Sequence, residues 1–203
     1  MGLKFRLLLL ACLALVPGVA VTTWAEPAAL RLDCGSEQLL EEGACVLTLY
    51  DTDVVVSSSG AGSINTLTVR LGDSPEAANT EIDGMAYSAE IADINVDERP
   101  EVFVAVASAG SGSYGSLVAY VVEADLSLSP IALPELGEDP DASRGYMGHD
   151  KFAVIEGSLV RRFPVYQQGD VNAEPTGGTR NLVYKLEQQG EQWQLRLDRS
   201  YDY

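Results

Sequence analysis

The chain has 203 residues, of which 30 are acidic and 13 basic, and its formal net charge at pH 7 is −17. This charge excludes nucleic acid as a partner, because binding nucleic acid requires a basic surface that neutralises phosphates. It is compatible with a cationic protein partner, whose approach the negative field would accelerate. The length suits one domain with a sizeable core.

The N-terminus has the order of a secretory signal peptide. Two basic residues precede an apolar stretch at residues 7–21, and small residues follow. We expect cleavage after Ala25, with Ala20 as the alternative site, and export of a single mature domain at residues 26–203. The apolar stretch is short for a bilayer span of about 20 residues, so we expect no membrane span in the mature protein. The mature chain would carry 11 basic and 30 acidic residues, a net charge of −19.

Cleavage would remove Cys12 and leave Cys34 and Cys45. An even pair of cysteines in an exported chain predicts a disulfide, which in the chain-entropy model contributes up to about 3 kcal/mol for a loop of this length. Two buried free thiols are the alternative, because the sequence does not show whether the sulfur atoms meet.

Strand patterns dominate the rest of the chain. Apolar and polar residues alternate in "TLTVRL" (66–71), "NLVYKLE" (181–187) and "WQLRL" (193–197), which is the period of half-buried strands. Other apolar runs of strand length are bounded by segments rich in Gly, Pro, Asp and Ser, and lie at 45–50, 86–93, 152–157 and 159–166. The pattern predicts a single all-β domain, an antiparallel β-sandwich or a barrel-like fold.

An acidic segment, "DINVDERPE" (93–101), precedes one of the apolar runs. Its side-chain oxygens lie at the first, third, fifth and ninth positions, on Asp93, Asn95, Asp97 and Glu101. This spacing suits Ca²⁺, although the segment lacks the glycine of an EF-hand loop and contains an arginine and a proline. The alternative is an acidic turn that leads into a strand beginning at Glu101. We assign no metal from the sequence.

The segment "AGSGSYGS" (109–116) separates two apolar runs, "EVFVAVAS" (101–108) and "SLVAYVVEA" (116–124). Its glycines have the G-x-G-x-x-G spacing of a dinucleotide-binding loop, but that loop requires a following helix, and here a strand follows. We therefore expect no cofactor and predict a protruding β-hairpin loop.

Four hydroxyl groups lie in the segment 109–116, on Ser111, Ser113, Tyr114 and Ser116. A hydroxyl group can donate a hydrogen bond to an ionised carboxylate without adding a charge that must itself be desolvated. The loop therefore suits a cleft lined by carboxylates. A polar hairpin turn without a binding role is the alternative.

Two long segments without strand patterns lie at 133–150 and 167–180, and loops of this length are usually functional or disordered. The only histidine, His149, lies in the first of them, beside Asp150. A catalytic triad would need a serine from the hairpin loop, but the sequence does not place these residues together, and the G-x-S-x-G nucleophile elbow is missing. We expect no catalytic residues and no enzyme. The last five residues are expected to fray.

Adjacent arginines, Arg161 and Arg162, lie on opposite faces of a predicted strand, so at most one points inward. They are either surface charges, or one of them braces the hairpin loop or contacts an acidic patch on the partner. The segment "PTGGTR" (175–180) is either a turn or a second contact loop.

Four blocks of sequence resemble, in this order, the bacterial periplasmic inhibitors of invertebrate-type (I-type) lysozyme. The blocks are "PEVFVAVASAGSGSYGSLVAYVV" (100–122), "GYMGHDKFAVIEGSLVRRFPVY" (145–166), "PTGGTRNLVYKL" (175–186) and "WQLRL" (193–197). The hallmark of that family, S-G-x-Y on a protruding loop, corresponds here to Ser111, Gly112, Ser113 and Tyr114.

The resemblance implies a periplasmic all-β inhibitor whose loop enters the active-site cleft of an I-type lysozyme. Ser111 and Tyr114 would contact residues around the catalytic carboxylates and inhibit competitively, without a covalent bond or cofactor. A homodimer is left open. The alternative function is a periplasmic carbohydrate- or peptidoglycan-binding module, with Tyr114, Tyr146 and Trp193 as candidate sugar platforms.

Overall fold

The computed structural model describes residues 32–203 except 41, 42 and 61, so the predicted leader at residues 1–25 lies outside the described residues. Strands make up most of the described chain. In chain order the elements are β1 (Asp33–Gly35), α1 (Ser36–Leu40), β2 (Ala44–Leu49), β3 (Thr52–Ser58), β4 (Ile64–Leu71), β5 (Ala77–Asp83), β6 (Met85–Ala92), β7 (Glu101–Ala107), β8 (Gly115–Val122), β9 (Leu128–Ala132), a short 3₁₀ turn (Leu136–Glu138), β10 (Lys151–Ile155), β11 (Ser158–Pro164), β12 (Thr179–Gln189) and β13 (Gln192–Asp202).

The strands form two sheets, and the predicted all-β fold is confirmed. A curled nine-stranded sheet has the order β1-β6-β7-β8-β9-β13-β12-β11-β10, and a four-stranded sheet has the order β2-β3-β4-β5. Neighbouring strands are antiparallel except β9 and β13, which pair in parallel. In β4 the predicted alternation is visible, because Leu67 and Val69 are buried while Thr66 is exposed.

Two hydrophobic cores share the hairpin of β7 and β8. Val102 and Val104 of β7, with Tyr120 of β8, belong to the core that includes the four-stranded sheet. Phe103 and Val121 point the other way, into the core enclosed by β11, β12 and β13. Since both faces of the hairpin are buried along most of its length, its strands are mostly apolar. The loop at its tip therefore extends from a base that is packed on both sides.

Side chains of β6, the second strand from one edge of the curled sheet, form hydrogen bonds with β10, the strand at the opposite edge. On the edge strand β10, the backbone N–H of Phe152 donates to the Tyr87 hydroxyl (3.1 Å), and that of Val154 donates to Glu90 Oε2 (2.7 Å). Tyr87 and Glu90 both belong to β6. These bonds satisfy backbone groups that an open edge would leave unpaired, and they give the nine-stranded sheet a barrel-like curl.

Cys34 and Cys45 form the predicted disulfide, with their Cα atoms 6.4 Å apart. Cys34 lies in β1, and Cys45 lies in β2. The bond therefore joins the nine-stranded sheet to the four-stranded sheet. The alternative of two free thiols is wrong.

The C-terminal end of the chain is a strand, so the prediction that it frays is wrong. Asp202 accepts two hydrogen bonds from Arg180, at 2.8 Å each, and Tyr203 exchanges backbone hydrogen bonds with Thr179. A charge-assisted pair in this two-pronged geometry holds the end of β13 against β12.

Candidate functional site

The hairpin loop, residues 108–114, joins β7 to β8, and the predicted hairpin is confirmed. Its turn is closed by backbone bonds from Ser113 N to Gly110 O and from Ser108 N to Tyr114 O, each 3.0 Å long. Ser111 and Tyr114 are exposed, and the Tyr114 side chain retains 51% of its accessible surface. Ser111, Gly112, Ser113 and Tyr114 thus form one turn at the tip of the hairpin.

The β9–β10 loop, residues 133–150, supports the hairpin loop through backbone contacts. The N–H of His149 lies 2.9 Å from the Gly112 carbonyl oxygen and 3.1 Å from that of Ser113, and it donates to both. Gly148 precedes it in a left-handed conformation with φ +94°. A Cβ atom at this position would overlap the Gly112 carbonyl oxygen. The close approach of the two loops therefore requires glycine at position 148.

Asp150 is a buried carboxylate at the base of the hairpin loop. It accepts hydrogen bonds from the Gly115 backbone N–H (2.8 Å), the Tyr146 hydroxyl (2.6 Å) and Arg161 Nε (2.6 Å). Charge-assisted bonds of this kind satisfy a carboxylate that burial would otherwise destabilise. Asp150 therefore fixes the end of the loop, at Gly115, to β11, which carries Arg161.

Tyr146 connects the exposed Tyr114 to the core. Its ring meets the Tyr114 ring edge-on with centroids 5.7 Å apart, and it meets the Phe163 ring in the same way at 4.8 Å. Its hydroxyl donates to Asp150 and accepts from Arg161 Nη2 at 2.9 Å. Burial, together with the hydrogen bond to Asp150, raises the pKa of the Tyr146 hydroxyl, so it stays neutral. The Tyr114 ring thus rests on a fixed aromatic neighbour.

Arg161 and Arg162 lie on opposite faces of β11, as the sequence predicts. Arg161 retains 5% of its accessible surface, and its guanidinium lies 5.1 Å from the Tyr146 ring centroid. Burial alone would lower the pKa of Arg161, but the Asp150 carboxylate raises it. The surface-charge interpretation is therefore wrong for Arg161, which braces the loop. Arg162 is half-buried and donates to Asn181 Oδ1 (3.1 Å).

The β11–β12 loop, residues 165–178, contacts the hairpin loop from another side. Asn172 Nδ2 donates to the Ser111 carbonyl oxygen (3.3 Å), and Asn172 Oδ1 lies 3.3 Å from His149 Nε2. The loop is ordered internally by Asp170, which accepts hydrogen bonds from two of its backbone N–H groups. All three loops therefore meet at the hairpin tip, a proximity that the sequence did not reveal.

The segment at 175–180 turns inward, which fits the interpretation as a structural turn. The Gly177 N–H donates to the Val165 carbonyl oxygen at 2.8 Å. Arg180 is buried, and its Nη1 donates to the carbonyl oxygens of Asp141, Ala142 and Arg144 in the β9–β10 loop. This arginine orders the loop that supports the hairpin.

The residues considered for a catalytic triad lie near one another, but they do not have the geometry of a triad. The Asp150 carboxylate is engaged by Gly115, Tyr146 and Arg161, and His149 Nε2 faces Asn172. His149 contacts the hairpin loop with its backbone N–H. Within the described residues, therefore, no histidine–aspartate pair is set up to activate a serine.

Two of the three candidate sugar platforms, Tyr114 and Tyr146, line one groove, and Trp193 lies apart from them. Trp193 retains 9% of its accessible surface and donates from Nε1 to Glu123 Oε1 (2.8 Å), at the end of β8 away from the hairpin loop. Tyr146 is packed beneath Tyr114. The groove that Tyr114 and Tyr146 line has a volume of about 560 Å³, and its other lining residues include Leu117, Leu133, Leu136 and Arg161.

The acidic segment brings together three of its four candidate ligands. Carboxylate oxygens of Asp93, Asp97 and Glu101 lie within 4.8 Å of one another. Asn95, the fourth candidate ligand, lies outside this group, and its Oδ1 accepts a hydrogen bond from the Asp97 backbone N–H at 3.1 Å.

Comparisons with known proteins do not identify a family for this chain. No family model matches the sequence, and no curated protein is significantly similar to it. Over the described part of the chain, no helix is both long and apolar enough to span a bilayer.

Proposed function

We propose that this protein is a periplasmic inhibitor of I-type lysozyme, which inserts residues 111–114 into the active-site cleft of the enzyme. The observation that carries the proposal is the way in which the hairpin loop is held. Within the described residues, each hydrogen bond between this loop and the neighbouring loops uses a backbone oxygen of the hairpin loop. Its hydroxyl-bearing side chains are therefore free for a partner.

A loop fixed through its backbone loses little conformational freedom when it binds, which favours affinity. The Gly112, Ser113 and Ser111 carbonyl oxygens are held by His149 and Asn172. The exposed Tyr114 ring is supported by Tyr146. This arrangement supports a rigid plug rather than a flexible turn.

The chemistry of the tip fits the active site of a glycosidase. Most such enzymes use a pair of carboxyl groups as acid and as base or nucleophile. The hydroxyl groups of Ser111 and Tyr114 can donate hydrogen bonds to these oxygens, and the Tyr114 ring fills space that the substrate would occupy. Inhibition would then be competitive, because plug and substrate require the same cleft.

Charge and the disulfide support the same proposal. With 30 acidic against 13 basic residues, the protein would attract a cationic enzyme and associate with it rapidly at low ionic strength. The Cys34–Cys45 bond suits an oxidising compartment such as the periplasm.

The experiment that tests the proposal measures the residual activity of I-type, chicken-type and goose-type lysozymes on bacterial cell walls. Each enzyme is titrated with the oxidised mature protein. We expect stoichiometric loss of activity for the I-type enzyme only. Full activity of the I-type enzyme in the presence of folded protein would contradict the proposal.

A second candidate function, carbohydrate or peptidoglycan binding, is favoured by the groove beside Tyr114. Pockets of this size and position commonly hold small ligands. Sedimentation of the protein with purified peptidoglycan in the absence of lysozyme separates the two functions, because an inhibitor has no need to bind the polymer. Retention by the polymer without inhibition of any lysozyme would favour the binding module.

A further inference from the structure

An acidic cluster lies at the opposite end of the β7–β8 hairpin from the proposed inhibitory loop. It contains Asp93 and Asp97, from the segment before β7, and Glu101, the first residue of that strand. One carboxylate oxygen from each residue lies within 4.8 Å of the other two. Repulsion between the two aspartates is offset by the backbone N–H groups of Asp97 and Glu98, which donate to Asp93 at 3.0 Å each, and by the guanidinium of Arg99, which pairs with Asp97.

Glu101 distinguishes this cluster from an ordinary acidic turn. Its side chain is fully buried, and its Oε2 accepts a hydrogen bond from the Ile94 backbone N–H at 2.8 Å. This bond directs the carboxylate into the segment that carries the two aspartates. Its other oxygen, Oε1, is buried without a partner among the described residues. A buried carboxylate oxygen without a donor is costly, and a bound cation would satisfy it.

The charges of the cluster match a divalent cation. Arg99 pairs with Asp97 through Nη2 and Oδ2 at 2.5 Å. Without an ion, burial raises the pKa of Glu101 to about 8, so this carboxyl group is neutral at pH 7. A bound cation would ionise it, and the three carboxylates and this guanidinium would then carry a formal charge of −2. Asp93 also accepts a hydrogen bond from the Tyr50 hydroxyl (3.1 Å), which links the cluster to the turn between β2 and β3.

The ligand set fits a hard cation. All three candidate ligands are carboxylate oxygens, which Ca²⁺ binds at about 2.3–2.6 Å in flexible geometry. Oxygens on opposite sides of one Ca²⁺ therefore lie about 5 Å apart. Oxygens no more than 4.8 Å apart can thus share a single ion.

We propose that Asp93, Asp97 and Glu101 bind Ca²⁺ and that the ion ties the segment 93–100 to the start of β7. The site stabilises the base of the hairpin and does not contact the lysozyme. This inference is independent of the proposed inhibitory function, because it rests on residues at the other end of the hairpin.

The test uses the oxidised mature protein after treatment with EDTA and dialysis, titrated with CaCl₂ and separately with MgCl₂ by calorimetry. We expect saturable binding of one Ca²⁺ per chain, with Mg²⁺ binding at least about tenfold weaker. At a Ca²⁺ concentration about 100-fold above the Kd, Tm should rise by about 5 °C or more. No binding of Ca²⁺ would overturn the proposal, and equal binding of Mg²⁺ would overturn the assignment to Ca²⁺.

Three variants locate the site. Glu101→Gln and Asp97→Asn each remove one ligand charge and should weaken Ca²⁺ binding at least about tenfold. Glu98→Gln removes an exposed carboxylate of the same segment, outside the cluster, and should leave binding unchanged. Asp97→Asn decides the question if Glu101→Gln does not fold. Calcium binding by both ligand variants at the wild-type affinity would overturn the proposal, whatever the outcome of the lysozyme assay.

Discussion

Arg161 and Asp150 form a buried ion pair directly below the hairpin loop. Arg161 Nε lies 2.6 Å from Asp150 Oδ1, and the two side chains retain 6% and 0% of their accessible surface. Asp150 in turn holds the Gly115 backbone N–H, at the end of the loop. A buried ion pair between β11 and the end of the β9–β10 loop therefore determines the position of a surface loop whose proposed role is to enter another protein.

Removing one member of this pair should destabilise the protein strongly. Arg161→Met leaves the Asp150 charge buried without its cation, and we expect a loss of about 3–5 kcal/mol in the free energy of unfolding. Arg199→Met is the control, because Arg199 lies exposed on β13, and it should cost less than about 1 kcal/mol. Urea denaturation of both variants measures the difference. Equal losses in the free energy of unfolding for the two variants would contradict a bracing role for Arg161.

The proposed inhibitory residues should be required for binding and dispensable for folding. For the double variant Ser111→Ala and Tyr114→Ala, we expect the inhibition constant for I-type lysozyme to rise about 100-fold, with little change in Tm. Both side chains are exposed at the tip, where they contribute little to the core. Tyr201→Ala removes a similarly exposed tyrosine from β13 and serves as the control. A folded double variant that inhibits normally would exclude these residues as the plug.

Gly148 tests whether the position of the loop, rather than its side chains, sets affinity. In Gly148→Ala the new methyl group would displace the Gly112 carbonyl oxygen, and we expect at least about tenfold weaker inhibition. Gly157→Ala is the matched control, because Gly157 also has a positive φ (+68°) but has open space around its Cβ position. Steady-state inhibition assays of both variants separate the effect of the clash from the general cost of positive φ. Equal inhibition by both variants would contradict a role for the loop contact.

The disulfide should contribute to stability without contacting the lysozyme. Cys34→Ser combined with Cys45→Ser should lower the free energy of unfolding by up to about 3 kcal/mol. Reduction of the wild-type protein with dithiothreitol should produce a similar loss, which thermal unfolding can measure. At a temperature at which both forms are folded, the inhibition constant should not change. A lost inhibitory activity in the folded double variant would place this part of the protein in the interface.

Glu90 should make the stability depend on pH. Burial, partly offset by the hydrogen bond from Val154, raises the pKa of the Glu90 carboxyl group, and Asp33 raises it further. Its contribution to stability is therefore fully present below the pKa of the unfolded chain, about 4.3, and is lost as pH rises through the folded-state pKa.

In Glu90→Gln the amide oxygen can still accept the hydrogen bond from Val154, but the side chain no longer ionises. We expect this variant to be more stable than wild type at pH 7 and equally stable at pH values below about 4. Urea denaturation across this pH range provides the measurement, with Glu191→Gln, in an exposed turn, as the control. A stability difference that does not depend on pH would contradict the argument.

The sequence revealed elements whose signal is local. The alternation of apolar and polar residues identified β4, and the apolar runs on either side of the hairpin loop identified β7 and β8. By contrast, only one of the seven residues of β5 is buried, so its sequence shows no clear alternation of apolar and polar residues. The sequence of β9 contains a proline, which is uncommon inside strands. Both were missed, because pairing with a neighbouring strand makes them strands, and periodicity does not report pairing.

The sequence by itself determined the all-β class, the cysteine pair and the hydroxyl-rich loop, because each of these depends on residues that are near one another in the chain. Only the tertiary structure decided what supports that loop. Asn172 is 61 positions from Ser111, and Asp150 is 35 positions from Gly115, yet both pairs are hydrogen-bonded. Contacts over such separations depend on how the strands of the curled sheet are ordered, which local patterns of polar and apolar residues do not encode.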